Sequence, residues 1–133
     1  MKEPSRQDQT LGAAPLEAAC LDEQALQRLI QLDPSGEGKV FQRVMKAFDK
    51  SMARLCEQLR EGRERGDERA IAHAVHTLKS SAASIGALEL SRRCADIELM
   101  LKTRPAHDLD AHLDGFLLEC KRVQLAVAAI LAA

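Results

Sequence analysis

Phe41, Met45, Phe48, Met52, Leu55 and Leu59 recur at alternating steps of four and three residues. That is the period of one helix face; residues sharing a strand face would lie two apart. The pattern returns three more times. Ile71, Val75, Leu78, Ala82 and Ile85 form a second stripe, and Leu90, Cys94, Ile97 and Leu101 a third. Leu109, Leu113, Phe116, Cys120, Val123, Val127 and Ile130 form a fourth. A shorter apolar side made of Ala25, Leu26, Leu29 and Ile30 precedes them, and the proline and glycines of "DPSGEG" at 33–38 cut it off. The spacing predicts a short helix from Asp22 to Leu32 and a long one from Lys39 to Arg60 or a little beyond. Gly62 and Gly66 then mark a frayed end. Asp67 is placed to cap a third helix, with Glu68 adding favourable charge to its first turn. A fourth helix runs from Leu88 to Lys102, and "TRPAHD" separates it from the last.

No strand alternation and no internal repeat interrupts this order. Four long amphipathic segments with short connections fold as an antiparallel four-helix bundle, here with a short additional N-terminal helix. The fold class is all-α. Residues 1–20, with two prolines, Gly12 and a polar opening, read as a flexible leader, and 21–133 as the bundle domain. Aromatic residues make up only 2% of the chain, so the core is built from Leu, Ala, Val and Ile, a mixture suited to helices.

Nineteen basic residues against twenty acidic ones argue against a nucleic-acid partner, which calls for a basic surplus. No apolar run is long enough to insert in a bilayer, and the N-terminus lacks the apolar region of a secretory signal, so the cytoplasm is the expected compartment. Cys20, Cys56, Cys94 and Cys120 lie far apart with no CxxC pair, and three of them fall on apolar stripes. They read as reduced thiols, the last three buried in the core, rather than as a metal site or a disulfide framework.

One stretch is unlike the rest. "HTLKSSAASIGA", residues 76–87, places a histidine and a lysine one turn apart among serines and alanines. On the third helix His76 lies roughly 140° from the centre of the apolar stripe and faces water. Lys79 and Ser80 follow one turn on, Ala83 two turns on, and Ala72 and His73 lie one turn back. A solvent-facing histidine on a helix is ordinarily inert, and an exposed lysine is ordinarily a solvated charge. The small neighbours are what set this histidine apart, because they clear a path for something large to approach. A neutral imidazole is nucleophilic near neutral pH, and an adjacent ammonium can steady an anionic group.

"HTLKSSAASIGALELSRRCADIE" resembles the signature of the histidine-containing phosphotransfer domains of bacterial two-component phosphorelays. The matching residues are His76, Leu78, Lys79, Ser80, Ser81, Ala82, Ile85, Gly86, Ala87, Leu90, Cys94, Ile97 and Glu98. The helix layout agrees with that family from about residue 21 to the C-terminus. The resemblance implies that His76 takes a phosphoryl group from the aspartate of a receiver domain, typically in a hybrid sensor histidine kinase. It then passes the group to the aspartate of a response regulator. It further implies that Lys79 stabilises the phosphoimidazole, that Ala72, His73, Ser80 and Ala83 form the docking patch, and that Leu78 and Gly86 are structural. Many members carry glycine where this chain has Ser80, which bears on the detailed fit of a partner. No intrinsic cofactor is implied; the receiver would bring Mg²⁺. The expected state is a monomer that carries phosphate without being an ATP-dependent kinase, since no Gly-rich nucleotide loop is present.

Three other readings fit less well. The dimerisation domain of a sensor kinase would place a proline five residues after the histidine, where this chain has Ser81. A metal site at His73 and His76 lacks carboxylates or thiols on the same face. A helical adaptor that never carries phosphate would share the fold and is separated from the carrier by a labelling experiment. His73 also competes with His76, but its i+3 and i+4 neighbours are His76 and Thr77, with no lysine.

Overall fold

The computed structural model describes residues 20–103 and 108–133, which form five helices: α1 (Glu23–Gln31), α2 (Val40–Arg65), α3 (Glu68–Ser84), α4 (Leu88–Thr103) and α5 (Leu109–Ala132). The expected leader, apart from Cys20, and residues 104–107 of the "TRPAHD" connection lie outside the described residues. The long helices pack in a ring in which α2 touches α3 and α5, and α4 touches α3 and α5. This is the expected antiparallel bundle, with the short α1 laid against α2.

The stripes become its core. Met45, Phe48, Met52, Leu55 and Leu59 of α2 meet Ile71, Val75, Leu78 and Ala82 of α3, followed by Ile85. Leu90, Cys94 and Ile97 of α4 and Leu113, Phe116, Cys120, Val123 and Val127 of α5 complete it. Each fully buried Leu, Val or Phe contributes about 1.5–3 kcal/mol relative to an exposed one. Phe41, Leu101, Leu109 and Ile130, at the ends of their stripes, are only partly buried and pack on its margin. Ile30 is exposed, because α1 packs through Ala25, with Leu26 and Leu29 half-buried beside it, and Ile30 lies at the edge of that side. Glu119 is the only charged side chain buried among the described residues, and one of its oxygens accepts a hydrogen bond from Arg122 at 2.9 Å.

The turns on either side of α3 decide where its faces point. Gly62 does not fray the end of α2: it is a buried member of the helix, which continues to Arg65. A Cβ there would sit 2.9 Å from that of Ala70 and 3.1 Å from the Asp67 carbonyl, so glycine permits the close approach of α2 and α3. Gly66, at φ 67°, ends α2, and the Asp67 amide donates back to the Gly62 carbonyl at 2.7 Å. Asp67 then caps α3, accepting from the Ala70 amide at 3.2 Å, as its position predicts.

At the other end Gly86 has φ 85°, and the Ala87 amide donates to the Ala82 carbonyl at 2.8 Å. The Gly86 carbonyl accepts from the Asp22 amide at 2.7 Å, latching the start of α1 onto the α3–α4 turn. Asp22 itself caps α1 through the Ala25 amide at 3.0 Å. A side chain at 86 would be strained by its left-handed backbone and would meet Asp22 N and O, each 2.8 Å from the Cβ. Gly86→Ala is therefore expected to cost about 2–4 kcal/mol by urea unfolding. Gly36→Ala, also at positive φ but with no atom within 4 Å of the new Cβ, should cost only about 1 kcal/mol. Equal losses would show that the Asp22 contact contributes nothing.

Candidate functional site

With Ile71, Val75, Leu78 and Ala82 turned inward, the opposite side of α3 carries His73, His76, Ser80 and Ala83, all exposed, with Ala72 and Lys79 half-buried beside them. The apolar stripe thus places the predicted residues on one accessible strip of helix. Leu78 is wholly buried beneath it, and Gly86 forms the turn that ends it. Ser81 and Ser84 bond back to the carbonyls of Leu78 and Ser80 at 3.2 and 3.1 Å. The Ser80 hydroxyl makes no hydrogen bond among the described residues, which leaves it open to solvent.

The strip does not act alone. Glu98 of α4 reaches across to it and binds both of its polar groups. Glu98 Oε2 lies 2.6 Å from His76 Nδ1, and Oε1 lies 2.5 Å from Lys79 Nζ. The Glu98 side chain is 15% exposed, whereas His76 is 72% and Lys79 36% exposed. A carboxylate accepts only, so the ring must donate from Nδ1. The lone pair of the neutral imidazole is then on Nε2, the nitrogen that Glu98 leaves free. Among the described residues His73, one turn away, has no such partner.

Electrostatics reinforce the arrangement. The Lys79 ammonium holds the Glu98 carboxyl below the usual carboxylate range, and the His76 ring adds to this, against burial, which pushes it up. A second contact sets the register of the two helices: Ser91 Oγ of α4 donates to the Lys79 carbonyl of α3 at 2.9 Å. Beside the strip, Ala72, Glu98 and Leu101 line a cleft of about 250 Å³ between α3 and α4.

Glu98 was legible as one residue of the signature string, but its bridging role was not, because the helical wheel of α3 shows only α3. The available signal was its neighbour Ile97 and, one turn back, Cys94. Both are buried, and they turn the flank carrying Glu98 towards the adjoining helix. Lys79 is accordingly an ion-paired group rather than a lone charge at the edge of the patch. Among the described residues no group of three or more His, Cys, Asp or Glu side chains could hold a metal ion. No described helix is long and apolar enough to cross a membrane.

The described residues thus form an α-helical bundle that presents an exposed histidine, hydrogen-bonded to a carboxylate and flanked by an ammonium. The Hpt domain family matches residues 43–133, and the chain belongs to that family of phosphotransfer intermediates in two-component systems. In structure it is similar to histidine-containing phosphotransfer protein B (HptB) from Pseudomonas aeruginosa PAO1, at 18% identity and a TM-score of 0.75. The match covers 86% of this chain and 96% of that one, and at this identity it shows the shared fold. No curated protein matches the chain.

The lowered Glu98 carboxyl makes a direct prediction. A group depressed on folding stabilises the fold above its unfolded value, near ~4.3 for glutamate, and that contribution is lost as pH falls through the folded value. Carboxyl-carbon NMR should find Glu98 titrating below an ordinary glutamate, and Lys79→Ala should bring it back up. An unchanged midpoint in that variant would remove the ammonium as the cause.

Proposed function

We propose that this protein is a phosphoryl carrier whose Nε2 of His76 accepts the phosphoryl group of a receiver-domain aspartate and returns it to the aspartate of another receiver. The observation that carries this reading is the Glu98 bridge. With Nδ1–H held by Glu98, the nucleophilic lone pair is fixed on Nε2 before any partner arrives. Phosphoryl transfer proceeds through a loose transition state, so alignment and charge stabilisation do most of the catalysis. As the N–P bond forms, the ring gains positive charge, which the Glu98 carboxylate opposite Nδ1 stabilises. An ammonium has three donors, and Lys79 gives one to Glu98, which leaves others for phosphoryl oxygens.

The acidic pocket and Mg²⁺ belong to the receiver in this scheme. Ala72, His73, Ser80 and Ala83 are small or exposed enough to admit it, with the cleft beside Ala72 extending the contact surface. The partners are a hybrid kinase's receiver and a response regulator, and the carrier works as a monomer in the cytoplasm. It has no ATP-dependent kinase activity of its own.

Incubation with a radiolabelled phospho-receiver should transfer label to this chain in an acid-labile, base-stable form, as a phosphoramidate requires. His76→Gln should abolish labelling with helix content unchanged; retained label would move the site to His73 or overturn the reading. Glu98→Ala should slow transfer by on the order of 10- to 100-fold while leaving His76 the labelled residue. Ala83→Arg adds bulk to an exposed position and should block transfer without lowering the thermal midpoint. Full transfer by Ala83→Arg would place the partner on another face.

A further inference from the structure

On the opposite side of the bundle from the α3–α4 pair, Cys56 of α2 and Cys120 of α5 sit in the contact between their helices. They are 5% and 3% exposed, yet both line one cleft of about 280 Å³ that opens between α2 and α5. Glu57, Arg60, Lys121 and Gln124 form its polar rim. Two thiols at the floor of a solvent-connected cleft, with two cations at its mouth, are unlike Cys94, which is fully enclosed. Nothing in the phosphoryl-carrier reading uses them, and their chemistry is independent of it.

We infer that Cys56 and Cys120 form a peroxide-oxidisable dithiol, Cys56 acting as the nucleophile and Cys120 as the resolving thiol, which closes to a disulfide linking α2 to α5. Arg60 lies one turn on from Cys56 along α2 and lines the same cleft, which sets a guanidinium charge beside that thiol. The neighbouring Cys120 thiol favours the Cys56 thiolate and holds Cys56 below the usual thiol range, against burial, with the Arg60 charge assisting. Cys120 is pushed up by the same neighbour and by burial, so it keeps its proton. Cys94 is pushed up to about 12 by burial first, then by the Cys56 and Glu98 charges, which excludes it as the nucleophile.

The chemistry balances with hydrogen peroxide as oxidant, a molecule small enough for the cleft. The Cys56 thiolate attacks one peroxide oxygen, the O–O bond breaks, and the departing hydroxide takes up a proton to give water. Cys56 is then a sulfenic acid, oxidised by two electrons while the peroxide is reduced by two. The Cys120 sulfur attacks the sulfenic sulfur, the S–S bond forms, the S–O bond breaks, and hydroxide leaves with the Cys120 proton as a second water.

The test treats the full chain with hydrogen peroxide, alkylates the remaining thiols and maps peptides without reduction. The expected product joins the Cys56 and Cys120 peptides with loss of two hydrogens, reverts with dithiothreitol and raises the thermal midpoint by several degrees. In Cys120→Ala, dimedone should trap a sulfenic acid on Cys56. Circular dichroism confirms that this variant is folded, and the wild-type map decides the matter if it is not. Alkylation of both thiols at peroxide levels that oxidise the more exposed Cys20, or pairing of Cys56 with Cys20 or Cys94, would overturn the inference. Dimedone on Cys120 in Cys56→Ala, with none on Cys56 in Cys120→Ala, would overturn the assigned roles.

Discussion

The rotation of α3 about its own axis is the constraint on which the rest depends. Ile71, Val75, Leu78 and Ala82 are driven inward together, and their burial outweighs any preference of the polar residues between them. A slip of one residue would turn the helix by about 100°, exposing Leu78 and swinging His76 away from α4. The glycine turns at either end lock this setting. Gly62 lets α2 approach closely enough to pin one flank, and Gly86 ends α3 where α1 latches on. The histidine is therefore aimed by apolar packing that it takes no part in.

What α3 aims, α4 completes. A histidine alone on a helix rotates among rotamers and shares its proton between two nitrogens. The Glu98 carboxylate removes both freedoms, while Lys79 keeps that carboxylate charged. The Ser91 bond to the Lys79 carbonyl fixes the helices lengthwise, with Glu98 two turns, or about 10 Å, further along α4. The patch of small residues and the charged bridge thus have separate tasks. One leaves space around the histidine and the other orients its ring.

Much of this was readable from the chain, because its fold rests on period. The long stripes, the Asp67 cap and the solvent-facing position of His76 all follow from steps of three and four residues. The misjudged features are those in which two segments meet. Gly62 looks like a helix breaker until Ala70 is seen against it, and Ile30 looks buried until α1 is found to pack through Ala25, Leu26 and Leu29. Glu98 could be placed in a familiar string, but its reach to His76 and Lys79 depends on how α4 sits beside α3. The approach of Cys56 to Cys120 spans most of the domain and leaves no local trace at all.

The Ser91 and Glu98 contacts also tie α3 to α4 at two points, so among the described residues the imidazole is oriented by the packing of two helices. If His76 carries phosphate as proposed, microscopic reversibility makes the same site lower the barrier equally for the arriving and the departing phosphoryl group. A carrier of that kind would store no preference for direction. Whether phosphate then ran towards one partner or drained back to the other would be set by the relative stability of the two aspartyl phosphates and by their amounts, with the bundle between them a passive conductor.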